Sequence, residues 1–220
     1  MARMCSRYAQ SADAKTLAER FRVAAAPGVG PRYNLSAGQE APVVIAAPAP
    51  RMTRLRFGLK PAWAQGPAAK PLVNARAETV ADKPFFREAF RRRRALVPAT
   101  AWYERPRRGA DKAPRLFRRT DRALFAFAGL WEPGPGGFAL VTVAPNPVAA
   151  TIHDRMPAVL APDDEAAWLD PAAPPESLKE LLRPYPSTLL EIVRVSERLE
   201  TGADEPSLMD PVRSPQGELF

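Results

Sequence analysis

Twenty-six prolines punctuate this 220-residue chain. Each removes a backbone donor and fixes φ, so helices end at proline and strands take it at edges and ends. The apolar runs between them are accordingly short. Pro42-Val43-Val44-Ile45-Ala46, Leu55 to Leu59, Ala95 to Pro98, Ala101 to Glu104, Leu124 to Trp131, Phe138 to Val143 and Glu191 to Val195 are expected strands. Pro48 and Pro50 are expected in the link between the first two. Pro133-Gly134-Pro135-Gly136-Gly137 is expected to be a hairpin connection. Helices are fewer. Ser11 to Phe21 puts Ala14, Leu17, Ala18 and Phe21 on one face with Ser11 as N-cap, and Pro27 to Pro31 end it. Phe85 to Arg93, begun by Pro84, Asp163 to Leu169 and Glu176 to Leu182 are the others, and Pro61 to Pro71 is a loop. Strands in runs, without βαβ alternation, predict an α+β fold: one domain with a mainly antiparallel, curved or barrel-like sheet and flanking helices.

The length suits one such domain, and an apolar content of 46% excludes a disordered chain. A single Cys excludes an internal disulfide, and a single His excludes a Cys/His zinc cluster, so no metal or cofactor is expected. There is no run of 18 uncharged apolar residues, and Met1 to Cys5 carries no apolar signal core, so a cytoplasmic protein is expected. Net charge is +8 and unevenly spread. Arg87 to Arg122 holds 13 Lys/Arg against 4 Asp/Glu, whereas Ala161 to Phe220 holds 5 against 13, which leaves +16 on residues 1–160. Such segregation points to a polyanion-facing surface, nucleic acid first, with a solvated basic face as the alternative.

Gly28-Val29-Gly30 is no dinucleotide fingerprint, and there is neither a P-loop nor a G-x-S-x-G serine. Four segments carry chemistry instead. Cys5 lies between Arg3 and Arg7, which favours its thiolate. As a first residue it would add an α-amine of pKa about 8. Such an aminothiol closes a thiazolidine on an aldehyde. Asn74-Ala75-Arg76-Ala77-Glu78 stands at a strand end and could orient a substrate. Trp102-Tyr103-Glu104 puts a carboxylate on an aromatic, half-buried strand, suited to general acid–base work. The only histidine sits in Thr151-Ile152-His153-Asp154-Arg155-Met156-Pro157. Each also has a plain reading: a cysteine near a frayed end, a turn with a surface ion pair, an edge glutamate paired with an arginine, and a packed histidine.

In order, these segments resemble the SRAP family, the SOS-response-associated peptidases also called abasic-site processing proteins. The resemblance runs through Met4-Cys5-Ser6-Arg7-Tyr8, Arg32-Tyr33-Asn34, Phe57-Gly58-Leu59-Lys60-Pro61-Ala62-Trp63 and Asn74-Ala75-Arg76-Ala77-Glu78-Thr79. It continues through Phe86 to Ala99, Trp102-Tyr103-Glu104, Phe127-Ala128-Gly129-Leu130-Trp131 and His153-Asp154-Arg155-Met156-Pro157. It spans a domain over residues 4–212, leaving 213–220 as a tail. It implies a protein, expected to be a monomer, that senses abasic sites in single-stranded DNA and crosslinks to them covalently through an N-terminal cysteine. It implies AP-lyase and self-processing peptidase activities as well, and nucleoid association when DNA is bound.

By the same resemblance Cys5 is the nucleophile, Asn74 holds the reacting N-terminus and sugar, Glu104 moves protons, and His153 assists ring opening and crosslink reversal. Arg76 and Arg155 grip phosphates, Arg7 is a further DNA contact, and Trp63 stacks on a base. Four positions depart from the family pattern. Cys5 follows Met1-Ala2-Arg3-Met4 instead of the initiator alone, so a start at Met4 with Met4 removed is expected. Ser6 replaces Gly, Arg105 replaces Trp, and Glu200 replaces Asn. Two other functions fit the residues: a non-catalytic basic single-stranded nucleic-acid binder, and a Cys–His thiol peptidase using Cys5 and His153.

Overall fold

A computed structural model describes residues 6–24, 28–46, 49–64 and 70–212. Cys5, Pro27, Pro48 and the tail 213–220 lie outside the described residues. In chain order the elements are β1 (Arg7–Gln10), α1 (Ala14–Phe21), β2 (Arg32–Ser36), β3 (Glu40–Ala46), β4 (Pro50–Arg56) and β5 (Asn74–Arg76). Then come α2 (Arg87–Arg92), β6 (Arg94–Ala99), β7 (Ala101–Glu104), β8 (Arg115–Arg119), β9 (Phe125–Glu132) and β10 (Gly137–Val143). The chain continues through α3 (Pro147–Ala150), β11 (Met156–Pro157), β12 (Val159–Leu160), α4 (Glu165–Leu169), α5 (Pro175–Glu180) and β13 (Leu190–Arg194).

The strands form two open sheets, so the architecture is α+β and mainly antiparallel. One sheet runs β13-β8-β7-β1-β2. The other runs β11-β10-β9-β6-β3-β4, with β12 joined to β9 and β5 to β10. The β5–β10 ladder is parallel, and every other ladder is antiparallel. Tyr8 and Trp102 from the first sheet meet Phe127 from the second edge-on, with centroids 5.9 Å apart in each pair. Trp102 also stacks on Phe117 at 5.0 Å, and Phe57 on Phe138 at 5.0 Å. Edge-to-face and offset pairs of this kind contribute beyond the area they bury.

The prolines sit where a strand has an unpaired side. Pro98 of β6 faces Ala126 of β9, but the β3 partner covers only Ala95 and Leu96. Pro42 likewise pairs only with β4. Pro50 is not in the link: it opens β4 opposite Ala46, the first position of a strand being one where no ladder donor is required. The Leu55 to Leu59 strand is shifted too, since β4 ends at Arg56 and Phe57 and Leu59 form single bridges to Phe138 and Leu72. Helix α1 starts later than Ser11. Asp13 is the cap, accepting from the Thr16 amide at 2.7 Å, because Ser11 Oγ is taken by Thr100 Oγ1 at 3.0 Å.

Candidate functional site

Strand β7 is held by its neighbours on both edges. Trp102 pairs with Tyr8 of β1 and Phe117 of β8. Side chains alternate along a strand, so Glu104 shares the face of Trp102, while Ala101 and Tyr103 face a second small core. The Tyr103 hydroxyl donates to the Tyr33 carbonyl at 2.8 Å and fixes that second face. Continuing the antiparallel register two residues outward from Tyr8 brings Ser6 opposite Glu104. The start of β1 and the end of β7 therefore open into one place. The strand is fully buried and not half-buried, and the Glu104 side chain is only 5% exposed.

His153 arrives from the other sheet. Asn146 caps α3, accepting from the Ala149 amide at 2.7 Å, and Pro147 occupies the first turn. The Asn146 amide group also donates to the Tyr185 carbonyl at 2.7 Å. The His153 amide closes the turn onto the Ala149 carbonyl at 2.9 Å, and β11 then pairs Met156 and Pro157 with Val143 and Thr142. Asn146→Ala would unmake both side-chain bonds in a buried position, at a cost of about 2–3 kcal/mol. A melting curve should show a midpoint roughly 5–10 °C lower, and an unchanged midpoint would remove Asn146 from the support of His153.

A cleft of about 460 Å³ collects these parts. It is lined by Ser6, Arg7, Glu104, Arg105, His153 and Glu200, among others. Glu104 Oε2 stands 3.9 Å from His153 Nε2. Burial, and then the Arg107 charge, hold the His153 pKa below its ordinary value, only partly offset by Asp154 and the Arg155 amide. The ring is therefore neutral at pH 7. Arg107 was not singled out by the sequence. It lies among Arg105, Arg107 and Arg108, and nothing in that run tells which one reaches the histidine. Arg107 Nε donates to His153 Nε2 at 3.2 Å. Arg7 donates to Asn34 Oδ1 at 2.6 Å and to the Leu199 carbonyl at 2.9 Å. Arg105 and Glu200 pair at 3.1 Å across the same cleft.

Asn74, Arg76, Arg155 and Trp63 do not line this cleft. Asn74 and Arg76 begin and end β5, opposite Leu140 and Thr142 of β10. Arg76 is exposed and makes no ion pair among the described residues. Glu78 pairs with Arg155 instead, at 2.5 and 2.9 Å, and Arg155 also donates to the Thr142 carbonyl at 2.5 Å. With its side chain 12% exposed, Arg155 ties the histidine loop to β5 and does not present an open cation. Trp63 is 70% exposed, with Phe85 edge-on to it at 6.0 Å.

The basic stretch is far less open than its charge count implies. Arg94 is buried and donates to the carbonyls of Phe90, Arg91, Trp168 and Asp170. Arg93 pairs with Glu132, Arg115 with Asp111, Arg119 with Asp121, and Arg118 and Arg122 with Glu191. The acidic C-terminal region supplies Glu191 and, for Arg105, Glu200; the other carboxylates lie within or just beyond the basic stretch itself. Among the described residues no group of three His, Cys, Asp or Glu side chains is placed to hold a metal, and no helix is long and apolar enough to cross a membrane.

The SOS response associated peptidase (SRAP) family model matches residues 4–201. The chain is 34% identical over 207 residues to abasic site processing protein YoqW of Bacillus subtilis (strain 168), covering 88% of this chain and 92% of that one. It is 38% identical over 177 residues to abasic site processing protein YoaM of the same organism, covering 76% and 78%. A solved structure of a protein from Bacteroides thetaiotaomicron superposes with a TM-score of 0.85 at 23% identity, covering 94% of this chain and all of that one.

Proposed function

The chain belongs to the SOS response associated peptidase family, and on that footing we propose that it processes abasic sites in single-stranded DNA by trapping the opened sugar on an N-terminal Cys5. The observation that carries this reading is the meeting of Ser6 and Arg7, the residues that follow Cys5, with buried Glu104 and His153 in one cleft. An abasic sugar is a cyclic hemiacetal in equilibrium with an aldehyde. His153 accepts the C1′ hydroxyl proton as the C1′ carbonyl forms. The C1′–O4′ bond breaks with its electron pair on O4′, which takes a proton from Glu104.

The Cys5 amine then adds to C1′, and loss of one water gives the imine. Glu104, re-protonated, supplies the proton that lets the hydroxyl leave. The thiol adds across the C=N bond, sulfur to carbon and hydrogen to nitrogen, and closes the thiazolidine. Before closure the imine also acidifies the C2′ proton, whose removal expels the 3′ phosphate; this is the lyase branch. Self-processing, meaning cleavage of the peptide bond ahead of Cys5, supplies the free amine. Asn74, at the start of β5 and outside the lining of the cleft, is assigned to orienting the N-terminus and the sugar from beside it. Exposed Arg76 takes a flanking phosphate, Trp63 offers a stacking face, and Arg7 supports the cleft wall. Arg155 contributes by fixing the histidine loop through Glu78.

Intact mass spectrometry, on the protein alone and after mixing with abasic single-stranded DNA, tests this. The expected spectrum shows a chain beginning at Cys5, and an adduct equal to protein plus oligonucleotide less one water. A chain beginning at Cys5 that yields only a salt-sensitive, non-covalent complex would sink the reading. So would an equally fast adduct on a chain that keeps Met1, because Cys5 then has an amide where the ring needs an amine.

A further inference from the structure

A neutral imidazole has one N–H and one lone pair to place, and the surroundings of His153 make that choice consequential. Arg107 is strapped across the histidine. Its amide donates to the Ile152 carbonyl at 3.1 Å, its Nη1 to Asp154 Oδ2 at 2.5 Å, and its Nε to His153 Nε2 at 3.2 Å. On the opposite edge of the ring, Asp154 Oδ1 lies 3.1 Å from Nδ1. A guanidinium has donors only. With Arg107 donating to it, Nε2 presents its lone pair, which leaves the proton for Nδ1, beside the Asp154 carboxylate. Each tautomer meets one opposing donor: the Nδ1–H form the neutral Arg155 amide, 3.2 Å from Nδ1, and the Nε2–H form the cationic Arg107 Nε–H, 3.2 Å from Nε2, with the Glu104 carboxyl 3.9 Å away. The cation beside Nε2 and the carboxylate beside Nδ1 decide for Nδ1–H.

We propose that Arg107 is a positioning residue that holds His153 as the Nδ1–H tautomer, with the Nε2 lone pair turned toward Glu104 and the cleft. The inference deepens the abasic-site reading and rests on it for its catalytic meaning. It divides the labour: His153 enters the reaction as the proton acceptor and Glu104 as the donor. Arg107, whose side chain is 40% exposed, occupies the Nε2 lone pair in the free protein and yields it to the sugar hydroxyl. The charged groups that face the ring are Glu104 from β7, Arg107 from the segment after it, and Asp154 beside it. Arg7, Arg105 and Glu200 line the same cleft. Among them Arg107 disfavours a second proton on the ring and Asp154 favours it.

His153 is the only histidine, so long-range ¹H–¹⁵N spectra of the labelled protein contain a single imidazole. The expected spectrum at neutral pH shows a protonated Nδ1 and a pyridine-type Nε2, titrating below the ordinary histidine value. In Arg107→Gln the midpoint should move upward, because the cation that opposes protonation is gone, and the Nε2–H form should appear. Arg107→Lys, which keeps the charge without the fixed Nε donor, should retain the low midpoint while the tautomers mix. The acid limb of the adduct-formation pH profile should move upward with the Gln midpoint. A natural protein with Nε2–H as its main tautomer overturns the proposal outright. So does an Arg107→Gln spectrum identical to the natural one. If the spectra behave as expected but no adduct forms with abasic DNA, it is the functional reading that fails and not the positioning by Arg107.

Discussion

Glu104→Gln is expected to slow adduct formation with abasic single-stranded DNA about a hundred- to ten-thousand-fold, the usual cost of removing a positioned general acid. The amide matches the carboxylate in size and keeps hydrogen-bonding capacity, but it cannot pass a proton. The backbone of Glu104 pairs with Arg115 in the β7–β8 ladder, and its side chain is enclosed beside His153. The substitution therefore leaves the strand in place and removes only the proton. Binding of the same DNA, followed by fluorescence anisotropy over a range of salt, should change little, because affinity rests on phosphate contacts made elsewhere. Quenched time courses resolved on denaturing gels give the rate. A Gln variant that crosslinks at the natural rate would take Glu104 out of the chemistry. Equal losses of binding and rate would make it a residue of the binding surface.

The β6, β7, β9 and β10 strands were legible in sequence because each is buried along most of its length, so its residues form an uninterrupted apolar run. The β8 strand was not. It reads Arg-Leu-Phe-Arg-Arg, and only the two central residues are buried. Its Arg118 and Arg119 are neutralised by Glu191 and Asp121, partners that the pattern of a five-residue window cannot show. The β1 strand, four residues with a buried Gln10, escaped for the same reason: its partners β2 and β7 lie far away in the chain.

The site followed a similar rule. Glu104 and His153 stood out as an acid on an aromatic strand and as the only histidine, and the fold brings them within 3.9 Å. What the sequence could not supply was pairing. Charge density alone made Arg87 to Arg122 look like an open cationic face, yet most of those arginines are spent on carboxylates or backbone carbonyls. Arg155 was expected to hold phosphate and is engaged by Glu78. Local composition reports how much charge is present; only tertiary structure reports how much of it is left for a ligand.

Gly137→Ala should damage the fold severely, by about 3–5 kcal/mol from backbone strain and overpacking together. Gly137 has φ 68° and ψ −159°, a region essentially closed to residues with a Cβ. A Cβ there would lie 2.5 Å from the carbonyl oxygens of both Arg56 and Gly58. Neither oxygen can retreat easily, since the Gly58 and Lys60 amides are bonded to Phe138 and Gly136 on either side of the position. The backbone itself would have to move at the first residue of β10. That strand carries β5, with Asn74 and Arg76, on one part of its length and β11, which follows His153, on another. A melting temperature lower by roughly 8–15 °C is expected, with the adduct rate falling as the variant approaches its midpoint. Gly134→Ala, in the same connection, is the matched control. It also has positive φ, at 62°, but nothing lies within 4 Å of its Cβ, so it should cost only about 1 kcal/mol. Equal shifts for the two variants would show that left-handed backbone alone sets the penalty. A much larger shift at Gly137 would show that the close approach of the Arg56 and Gly58 carbonyls to the start of β10 is what the glycine makes possible.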